Sequence, residues 1–262
     1  MGRVNGKIAL ITGAGSGLGR ASAIHLAQEG AKIIASDLNE ETAAETARII
    51  NKERQGAAIS VKHNATSEGD WKTVLNLVQS KFGGLNILLN NAGISIGGDI
   101  ESTDFLEWKK LQEVDVDSVF WGCKLALPYL RDSGGGSIIN ISSTVGILGN
   151  PLTLGYGAAK AAVRSMSKSI ALHCARHKYN IRCNSVHPTF IKTPLLDRFA
   201  KVAGSEKEAH ATLAKLIPLG EILETRDVTF GIIYLASDES RMMTGAEFVI
   251  DGGLTCGYMP PV

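Results

Sequence analysis

Seven short apolar runs alternate with helix-like segments along the chain, and this alternation restricts the possible folds more than any other feature of the sequence. The runs are apolar almost throughout, which is typical of strands that are covered on both faces of a parallel sheet. The alternation predicts an α/β fold with a doubly wound parallel sheet, helices on both faces and right-handed crossovers. The predicted strands cover residues 7–12, 31–37, 57–62, 85–90, 137–142, 181–187 and 247–251.

The segments between the strands carry helix-start signals. Asn39 and Ser67 stand where N-caps are expected, and acidic residues follow each of them within one turn. A late segment, about residues 190–219, departs from the alternation because it is long, helix-forming and interrupted by proline near both ends. Such a segment is typical of an active-site lid, so we expect one domain, residues 1–262, with a helical lid over its substrate site. The predicted helices cover residues 17–29, 39–53, 67–82, 108–130 and 154–177.

Charge and cysteine usage exclude several classes of protein. Lys and Arg number 27 and Asp and Glu number 26, so the chain lacks the basic excess that is typical of nucleic-acid binding. The four cysteines form no Cys-x-x-Cys pair, so neither a zinc site nor a disulfide framework is indicated. No apolar run approaches the length of a membrane span and no signal peptide is recognisable. We therefore expect a cytoplasmic protein that binds neither nucleic acid nor a membrane.

A glycine-rich turn follows the first predicted strand and opens the first helix, with the sequence Thr-Gly-Ala-Gly-Ser-Gly-Leu-Gly over residues 12–19. Glycines allow a tight turn and let backbone N–H groups approach a pyrophosphate, which the positive end of the helix dipole also favours. Glycines can equally serve only to make a turn. The position of this turn between a strand and a helix nevertheless favours a dinucleotide site in a Rossmann-type fold.

An acidic residue, Asp37, ends the second predicted strand. Its carboxylate can accept hydrogen bonds from the hydroxyls of an adenosine ribose and would repel the additional phosphate of NADP. Leu38 and Asn39 follow, and neither could bind that phosphate as an arginine would. The sequence therefore favours NAD as the cofactor, with capping of the next helix as the alternative role of Asp37.

A tyrosine and a lysine, Tyr156 and Lys160, lie four residues apart and so on one face of a predicted helix. A phenol has an ordinary pKa of about 10, and a neighbouring ammonium lowers that pKa toward neutrality because it stabilises the phenolate. Ser143 precedes Tyr156 and follows the fifth predicted strand, at the edge where parallel sheets bind ligands. Its hydroxyl could hydrogen-bond a substrate oxygen; Ser142 is the adjacent alternative, and the spacing to Tyr156 selects Ser143.

These features together resemble the short-chain dehydrogenase/reductase family: the glycine turn, the Asn-Asn-Ala-Gly motif of residues 90–93, Ser143, Tyr156 and Lys160, in this order and spacing. The resemblance extends to the end of the chain. It implies an NAD(H)-dependent enzyme that interconverts a secondary alcohol and a ketone without a metal. Tyr156 is then the general acid/base, Lys160 binds the nicotinamide ribose and lowers the pKa of Tyr156, and Ser143 orients the reacting oxygen.

The resemblance also implies a set of cofactor-binding positions. Three of its positions depart from the family pattern: Asp115 stands where Asn usually completes a proton relay, Asn64 replaces an Asp that contacts adenine, and Thr189 replaces a Gly. We still count Asp115 with the catalytic residues because its backbone carbonyl is retained. The implied cofactor-binding residues are Gly13, Ser16, Gly17, Leu18, Gly19, Asp37, Leu38, Asn64, Ala65, Asn91, Ala92, Gly93, Tyr156, Lys160, Pro188, Thr189, Ile191 and Thr193.

The expected walls of the substrate pocket are largely apolar, although Lys192 and Arg198 lie near the lid. Similarity to bacterial secondary-alcohol dehydrogenases and to 3β/17β-hydroxysteroid dehydrogenases implies an apolar cyclic, aryl or aliphatic alcohol, with a hydroxysteroid as the alternative. An NAD-binding regulatory protein without turnover is the alternative outside enzymes. The family also implies a homotetramer in which the two long helices form one interface. The expected wall residues are Ser95, Ile96, Val145, Leu148, Leu152, Phe190, Leu195, Leu196 and Phe199.

Overall fold

A single parallel sheet of seven strands organises the computed structural model, which describes residues 2–197 and 205–257. The strand order is β3-β2-β1-β4-β5-β6-β7, and every neighbouring pair is parallel. This confirms the predicted Rossmann-type, doubly wound fold. The strands are β1 Ile8–Thr12, β2 Lys32–Asp37, β3 Ala58–Lys62, β4 Ile87–Asn90, β5 Gly136–Ile141, β6 Ile181–Pro188 and β7 Glu247–Ile250.

Helices cover both faces of the sheet. The two predicted N-caps are confirmed: Asn39 accepts hydrogen bonds from two backbone N–H groups of the next helix, and Ser67 accepts one from Asp70. Within the described part of the chain the α-helices are α1 Gly17–Gln28, α2 Glu40–Glu53, α3 Glu68–Phe82, α4 Phe105–Gln112, α5 Ser118–Asp132, α6 Leu154–Arg176, α7 Glu206–Ala214 and α8 Thr225–Ala236.

The sheet separates two apolar cores. Helices α1, α2 and α8 pack on one face, where Ile11 of β1 is buried, and α3, α5 and α6 pack on the other, where Leu10 is buried. Neighbouring residues of a strand point to opposite faces, so a strand covered on both sides is apolar at most positions. This is the physical reason why the central strands read as largely apolar runs, in which buried polar residues such as Ser36 and Asn140 are hydrogen-bonded.

One predicted helix differs in the structure in a way that bears on function. The segment predicted as one helix over residues 108–130 starts at Phe105 and is divided by a π-helical turn, Glu113–Asp117, between α4 and α5. Such turns widen the helix locally and occur frequently at functional sites. Asp115 lies in this turn and is fully buried.

The carboxyl ends of the strands form the edge at which ligands bind in folds of this type. The strand order reverses at β1, which pairs with β2 on one side and β4 on the other, and a crevice opens outside the strand ends at such a point. The predicted site residues follow β1 to β6 at this edge. Of the predicted lid, α7 is described, whereas Arg198 and Phe199 lie outside the described residues. None of the described helices combines the length and apolarity that crossing a membrane requires.

Candidate active site

The glycine turn between β1 and α1 leaves a cradle without side chains. Gly13 and Gly17 have positive φ angles of 65° and 50°, a conformation that glycine adopts without strain. A Cβ on Gly15 would overlap Thr42 Oγ1, and one on Gly19 would overlap the carbonyl oxygen of Gly13. Because the glycines carry no side chains of their own, neighbouring groups pack closely against the turn and its backbone N–H groups stay accessible at the N-terminus of α1, so the turn fits the pyrophosphate of a dinucleotide.

The residues at the start of α1 complete this cradle. Ser16 is the N-cap of α1, is exposed and makes no side-chain cap bond, so its hydroxyl is available to a phosphate oxygen. Leu18 is buried against the core below the turn. At the lid side, Thr193 lies next to Gly17, where an added Cβ would come within 3.3 Å of the threonine side chain. Thr193, at the start of the predicted lid, therefore lies against one side of the glycine turn.

Asp37, at the end of β2, binds the glycine turn and also lines a surface cleft. Its Oδ2 accepts the backbone N–H of Gly15 at 2.8 Å and its Oδ1 accepts that of Asn39 at 2.9 Å. Asn39, and not Asp37, caps α2, so the alternative role of Asp37 as a helix cap is wrong. A cleft of about 580 Å³ opens beside it, and its lining residues are Asp37, Leu38, Asn39, Glu40, Glu41 and Lys62.

The Asn-Ala-Gly segment after β4 anchors the glycine turn. Thr12 Oγ1 accepts the backbone N–H groups of Asn91 and Ala92, both at 3.0 Å. The Asn91 amide donates to the backbone oxygens of Thr12, at 2.9 Å, and Gly13, at 3.3 Å. The side chain of Asn91 thus stabilises the turn itself, a role that the sequence did not predict. Gly93 lies beside Asp115 and leaves room for its carboxylate.

Asn64 and Ala65 follow β3 and make local contacts. The Oδ1 of Asn64 accepts two hydrogen bonds from Thr66, one from its backbone N–H at 3.1 Å and one from the Thr66 hydroxyl at 3.0 Å. The side-chain oxygen that was expected to accept a bond from the cofactor therefore already has two donors. The backbone oxygen of Ala65 accepts the indole N–H of Trp71 at 2.9 Å, which fixes this loop to α3.

The end of β6 leads into the base of the lid. Ile191 pairs with Leu223 in a parallel bridge, and Leu223 donates its N–H to the oxygen of Phe190 at 2.9 Å. This pairing holds the segment after β6, which contains the predicted cofactor-binding residues Ile191 and Thr193, against the residues that precede α8. Pro188 is the last residue of β6, and Thr189 follows it with 9% of its surface exposed. The hydroxyl of Thr189 has no hydrogen-bond partner among the described residues.

Tyr156, Lys160 and Ser143 meet where β5 ends and α6 begins. The Lys160 ammonium lies 5.3 Å from the centre of the Tyr156 ring and donates to the backbone oxygen of Ile141 at 3.2 Å. The Ser143 hydroxyl is near enough to Tyr156 to lower the pKa of its phenol, and it also donates to the backbone oxygen of Pro188 at 3.5 Å. Ser142 Oγ instead donates to the backbone oxygen of Lys160 at 2.8 Å, so its hydroxyl serves packing and Ser143 is the serine that faces the tyrosine.

The pKa of Tyr156 differs from the expectation. Burial raises it, and this is the largest effect; the charge of Lys160 lowers it, the Asp115 carboxylate raises it, and the Ser143 hydroxyl lowers it. The net result is a pKa above the ordinary value for a phenol. The expected influence of Lys160 is present, but loss of water around the ring and the second charge outweigh it.

That second charge belongs to Asp115, whose side chain reaches Lys160 directly. Asp115 Oδ2 lies 2.9 Å from Lys160 Nζ, and its Oδ1 accepts the N–H of Ile94 at 2.8 Å. Burial lowers the pKa of Lys160, but Asp115 and Tyr156 raise it, and the net pKa lies above the ordinary value, so Lys160 stays charged. The sequence had suggested only the backbone carbonyl of Asp115 as a functional group.

Comparisons with known proteins agree with this geometry. A family model described as "Enoyl-(Acyl carrier protein) reductase" matches residues 13–255. The NADP-dependent (R)-specific alcohol dehydrogenase of Lentilactobacillus kefiri is 41% identical over 256 residues, which are 97% of this chain and 98% of that protein. The chain belongs to the short-chain dehydrogenase/reductase family. It is therefore an oxidoreductase of a family that uses a nicotinamide cofactor.

Two further short-chain dehydrogenases/reductases extend the comparison. The 3-beta-hydroxysteroid dehydrogenase of Comamonas testosteroni is 36% identical over 252 residues, covering 96% of this chain and 97% of that protein. The crystal structure of a short-chain type dehydrogenase/reductase from Mycobacterium marinum gives a TM-score of 0.90 at 33% identity, covering 97% of each chain. Family membership and fold thus agree over nearly the whole length.

Proposed function

We propose that this short-chain dehydrogenase/reductase interconverts an apolar secondary alcohol and its ketone, with NAD(H) as cofactor and Tyr156 as the general acid/base. The observation that carries the proposal is the position of Tyr156 at the carboxyl edge of the sheet, with the Lys160 ammonium 5.3 Å from its ring centre and the Ser143 hydroxyl nearby. The relatives from Lentilactobacillus kefiri and Comamonas testosteroni are named for an alcohol and a hydroxysteroid, and both names describe CH–OH chemistry.

The chemistry assigns one task to each side chain. The nicotinamide, when bound, supplies or accepts a hydride at the reacting carbon. The Tyr156 hydroxyl gives its proton to the ketone oxygen, or the phenolate takes the proton of the alcohol. Ser143 donates a hydrogen bond to the same oxygen as negative charge develops on it. Lys160 stabilises the phenolate and keeps N–H donors for a ribose hydroxyl.

The preference for NAD over NADP rests on the charge of the cleft beside β2. Asp37, Glu40 and Glu41 line it, and Lys62 is its cationic lining residue. A 2′-phosphate would meet this net negative charge, whereas ribose hydroxyls can donate to Asp37. Because the Lentilactobacillus kefiri relative is named NADP-dependent, the two cofactors are competing hypotheses.

The preference for an uncharged substrate rests on the described wall residues. Leu148, Leu152 and Leu195 present exposed apolar surface. The nearby Lys192 already forms an ion pair with Glu224, so it is not a free cation for a carboxylate substrate. These features favour an alcohol or ketone with apolar substituents, and hydroxysteroids are the alternative within this class.

The decisive test compares wild type with Tyr156→Phe across cyclic, aryl, aliphatic and steroid alcohols, with NADH absorbance as the signal. We expect Tyr156→Phe to abolish turnover while NADH binding, measured by fluorescence, stays close to that of wild type. Tyr129→Phe is the matched control, because the Tyr129 hydroxyl donates to Asn76 at the surface. Turnover of Tyr156→Phe above a tenth of wild type would remove the assigned role. Reduction of an enoyl thioester alone, or no turnover at all, would contradict the proposed reaction.

Cofactor selectivity is tested at Asp37. Asp37→Ala should raise the KM for NAD and reduce the discrimination against NADP in steady-state kinetics. Glu45→Ala removes the same charge from α2 outside the cleft, where Glu45 pairs with Arg48, and should leave selectivity unchanged. Equal selectivity in wild type and Asp37→Ala would contradict the assignment of NAD.

A homotetramer is the assembly that we propose, because large apolar side chains are exposed on two separate faces. Phe120 of α5 and Leu172 of α6 lie on one face, and Phe230 of α8 and Val249 of β7 lie on another. Two self-complementary interfaces would generate a tetramer. Light scattering should give four copies for wild type and two for Leu172→Glu or Phe230→Glu; a monomeric wild type would contradict this. The cytoplasmic location stays a prediction.

A further inference from the structure

The buried carboxylate of Asp115 has a function beyond connecting two parts of the fold. We propose that Asp115 is the fixed counter-ion of Lys160, a positioning residue that moves the working range of Tyr156 to more alkaline pH and so favours ketone reduction at neutral pH. The inference rests on the proposed acid/base role of Tyr156.

Two contacts hold the Asp115 carboxylate in place. Its residue lies in the π-helical turn between α4 and α5 and is 0% exposed. Oδ1 accepts the N–H of Ile94, in the loop that follows β4, at 2.8 Å. Oδ2 then lies 2.9 Å from Lys160 Nζ on α6. A backbone N–H of one segment and the buried ammonium of another thus hold the two carboxylate oxygens, so the carboxylate stays beside the ammonium.

The contact with Lys160 is an ion pair that leaves lysine donors free. Asp115 Oδ2 makes no well-aligned hydrogen bond, although the two charged atoms are 2.9 Å apart. The ammonium donates to the backbone oxygen of Ile141 at 3.2 Å. An ammonium has three N–H donors, so Lys160 can still bind a ribose hydroxyl while it remains paired.

Tyr156 consequently experiences two opposite charges. Among the described residues, the charged groups that act on its hydroxyl are Lys160, from the same helix, and Asp115, from the π-helical turn; Ser143, after β5, contributes a neutral hydroxyl. Lys160 alone would stabilise the phenolate. The carboxylate cancels part of that field, and because Asp115 and Lys160 are both buried, their charges are weakly screened. An amide at position 115 would leave the lysine field uncompensated.

The direction of catalysis follows from which protonation state is favoured. In ketone reduction the O–H bond of Tyr156 breaks and its proton goes to the carbonyl oxygen, while the carbon receives hydride. In alcohol oxidation the phenolate must already be present to take the proton. Because the Asp115 carboxylate favours the protonated phenol, the Tyr156 hydroxyl keeps its proton at neutral pH and can donate it to a ketone. Alcohol oxidation then requires alkaline pH, at which the phenolate forms.

The test titrates Tyr156 directly in Asp115→Asn, which keeps the shape of the side chain and removes its charge. Phenolate absorbance is recorded against pH as the difference between each protein and its Tyr156→Phe counterpart. We expect the Tyr156 titration of Asp115→Asn to move to lower pH by about one unit or more, the usual effect of a nearby charge. The acid limb of kcat/KM for alcohol oxidation should move in the same direction. Asp104→Asn, the same change at the exposed N-cap of α4, should move neither.

An unchanged or higher titration in a folded Asp115→Asn protein would overturn the inference. Because removing one partner of a buried ion pair can prevent folding, Lys160→Met/Asp115→Asn removes both charges together. If the Asp115 charge offsets part of the Lys160 charge, the double variant should titrate within about one pH unit of wild type, and a rise of about two units or more, as expected for loss of an uncompensated ammonium, would also overturn the inference. The absorbance measurement needs no substrate. A shifted titration without any alcohol turnover would therefore contradict the proposed function but would still support the effect of Asp115 on Tyr156.

Discussion

The imidazole Nδ1 of His187 lies 3.1 Å from the backbone oxygen of Ser143, and its Nε2 lies 2.8 Å from the hydroxyl of Ser185. A carbonyl oxygen can only accept, so Nδ1 carries the proton and Nε2 accepts from Ser185. Burial lowers the pKa of His187, which keeps this ring neutral. A residue of β6 thus fixes the backbone of the serine that faces Tyr156.

We expect His187→Leu to lower kcat about tenfold, because small displacements of a catalytic group are costly and the Ser143 oxygen loses its donor. His187→Asn can still donate from nearly the same place and should retain most of the activity. The KM for NADH should change little in both. Steady-state kinetics of ketone reduction checks the difference, and equal kcat in wild type and His187→Leu would show that the contact does not position Ser143.

Gly15 makes the closest approach between the glycine turn and Asp37. A Cβ at this position would overlap Thr42 Oγ1 and come within 2.8 Å of Asp37 Oδ2. Gly15→Ala should therefore displace the Asp37 carboxylate, raise the Kd for NADH about tenfold or more and narrow the difference between NAD and NADP. Fluorescence titration with each reduced cofactor measures both effects.

Gly69 supplies the matched control for this substitution. It lies in the first turn of α3, and the nearest atom to an added Cβ is Ser67 Oγ at 3.8 Å. Gly69→Ala should leave cofactor binding unchanged and raise the free energy of unfolding by about 0.5 kcal/mol, since alanine loses less backbone entropy in a helix. Weaker NADH binding in both variants would mean that the effect of Gly15→Ala does not arise from displacement of Asp37.

Sequence patterns predicted the parts of this molecule that depend on local chemistry. The largely apolar runs predicted all seven strands to within a few residues, and the central strands were the clearest because burial on both faces favours apolar side chains. The caps at Asn39 and Ser67 were equally predictable, since a cap uses a side chain within three residues of the N–H groups that it binds. Helical spacing placed Tyr156 and Lys160 on one face of a helix, whereas their roles were implied by the resemblance to the family.

The long-range electrostatics of the site could not be predicted in this way. A π-helical turn has no periodic signature, so helical spacing did not indicate that the Asp115 side chain would reach Lys160. The raised pKa of Tyr156 depends mainly on burial by segments that are distant in sequence. The bonds from Asn91 to the glycine turn likewise join β4 to β1. The Asp at position 115 was a signal, because a charge in place of a neutral amide demands a partner when it is buried.

His63 should make the stability of the protein depend on acid pH. Its Nδ1 lies 3.0 Å from Ser36 Oγ, and its ring meets the edge of Trp71. Burial lowers the pKa of His63 from its ordinary 6.5 to about 4. The unfolded chain therefore protonates His63 at higher pH than the folded chain does. The contribution of neutral His63 to the free energy of unfolding is fully present above about pH 6.5. It is lost as the pH falls through about 4, with a total loss of about 3 kcal/mol.

Urea unfolding at pH 7 and pH 5 measures this contribution. Between these values wild type should lose about 2 kcal/mol more stability than His63→Gln, which cannot titrate but can still donate to Ser36. His173→Gln is the control, because His173 is exposed and its removal should leave the pH dependence as in wild type. The same pH dependence in wild type and His63→Gln would show that the ring accepts a proton equally well in the folded state.

The buried hydroxyl of Thr189, which has no hydrogen-bond partner in the described part of the chain, can be compared with the buried hydroxyl of Thr229, which has one. Thr189 has no hydrogen-bond partner among the described residues, whereas the fully buried Thr229 donates to the backbone oxygen of Arg226 at 3.2 Å and contacts His25. A buried hydroxyl without a partner costs about 1 kcal/mol or more, and valine has nearly the same shape. Thr189→Val should therefore raise the free energy of unfolding by about 1 kcal/mol, and Thr229→Val should lower it by a similar amount.

NADH binding by Thr189→Val tests whether the Thr189 hydroxyl contacts the cofactor. Thr189 stands where the family usually has a glycine next to the nicotinamide, so the same hydroxyl could donate to bound NADH. If it does, Thr189→Val will be more stable than wild type on its own but will bind NADH more weakly, and the stabilisation will shrink at saturating NADH. A destabilised Thr189→Val would instead mean that the hydroxyl already has a partner, such as a buried water, and that its site is structural.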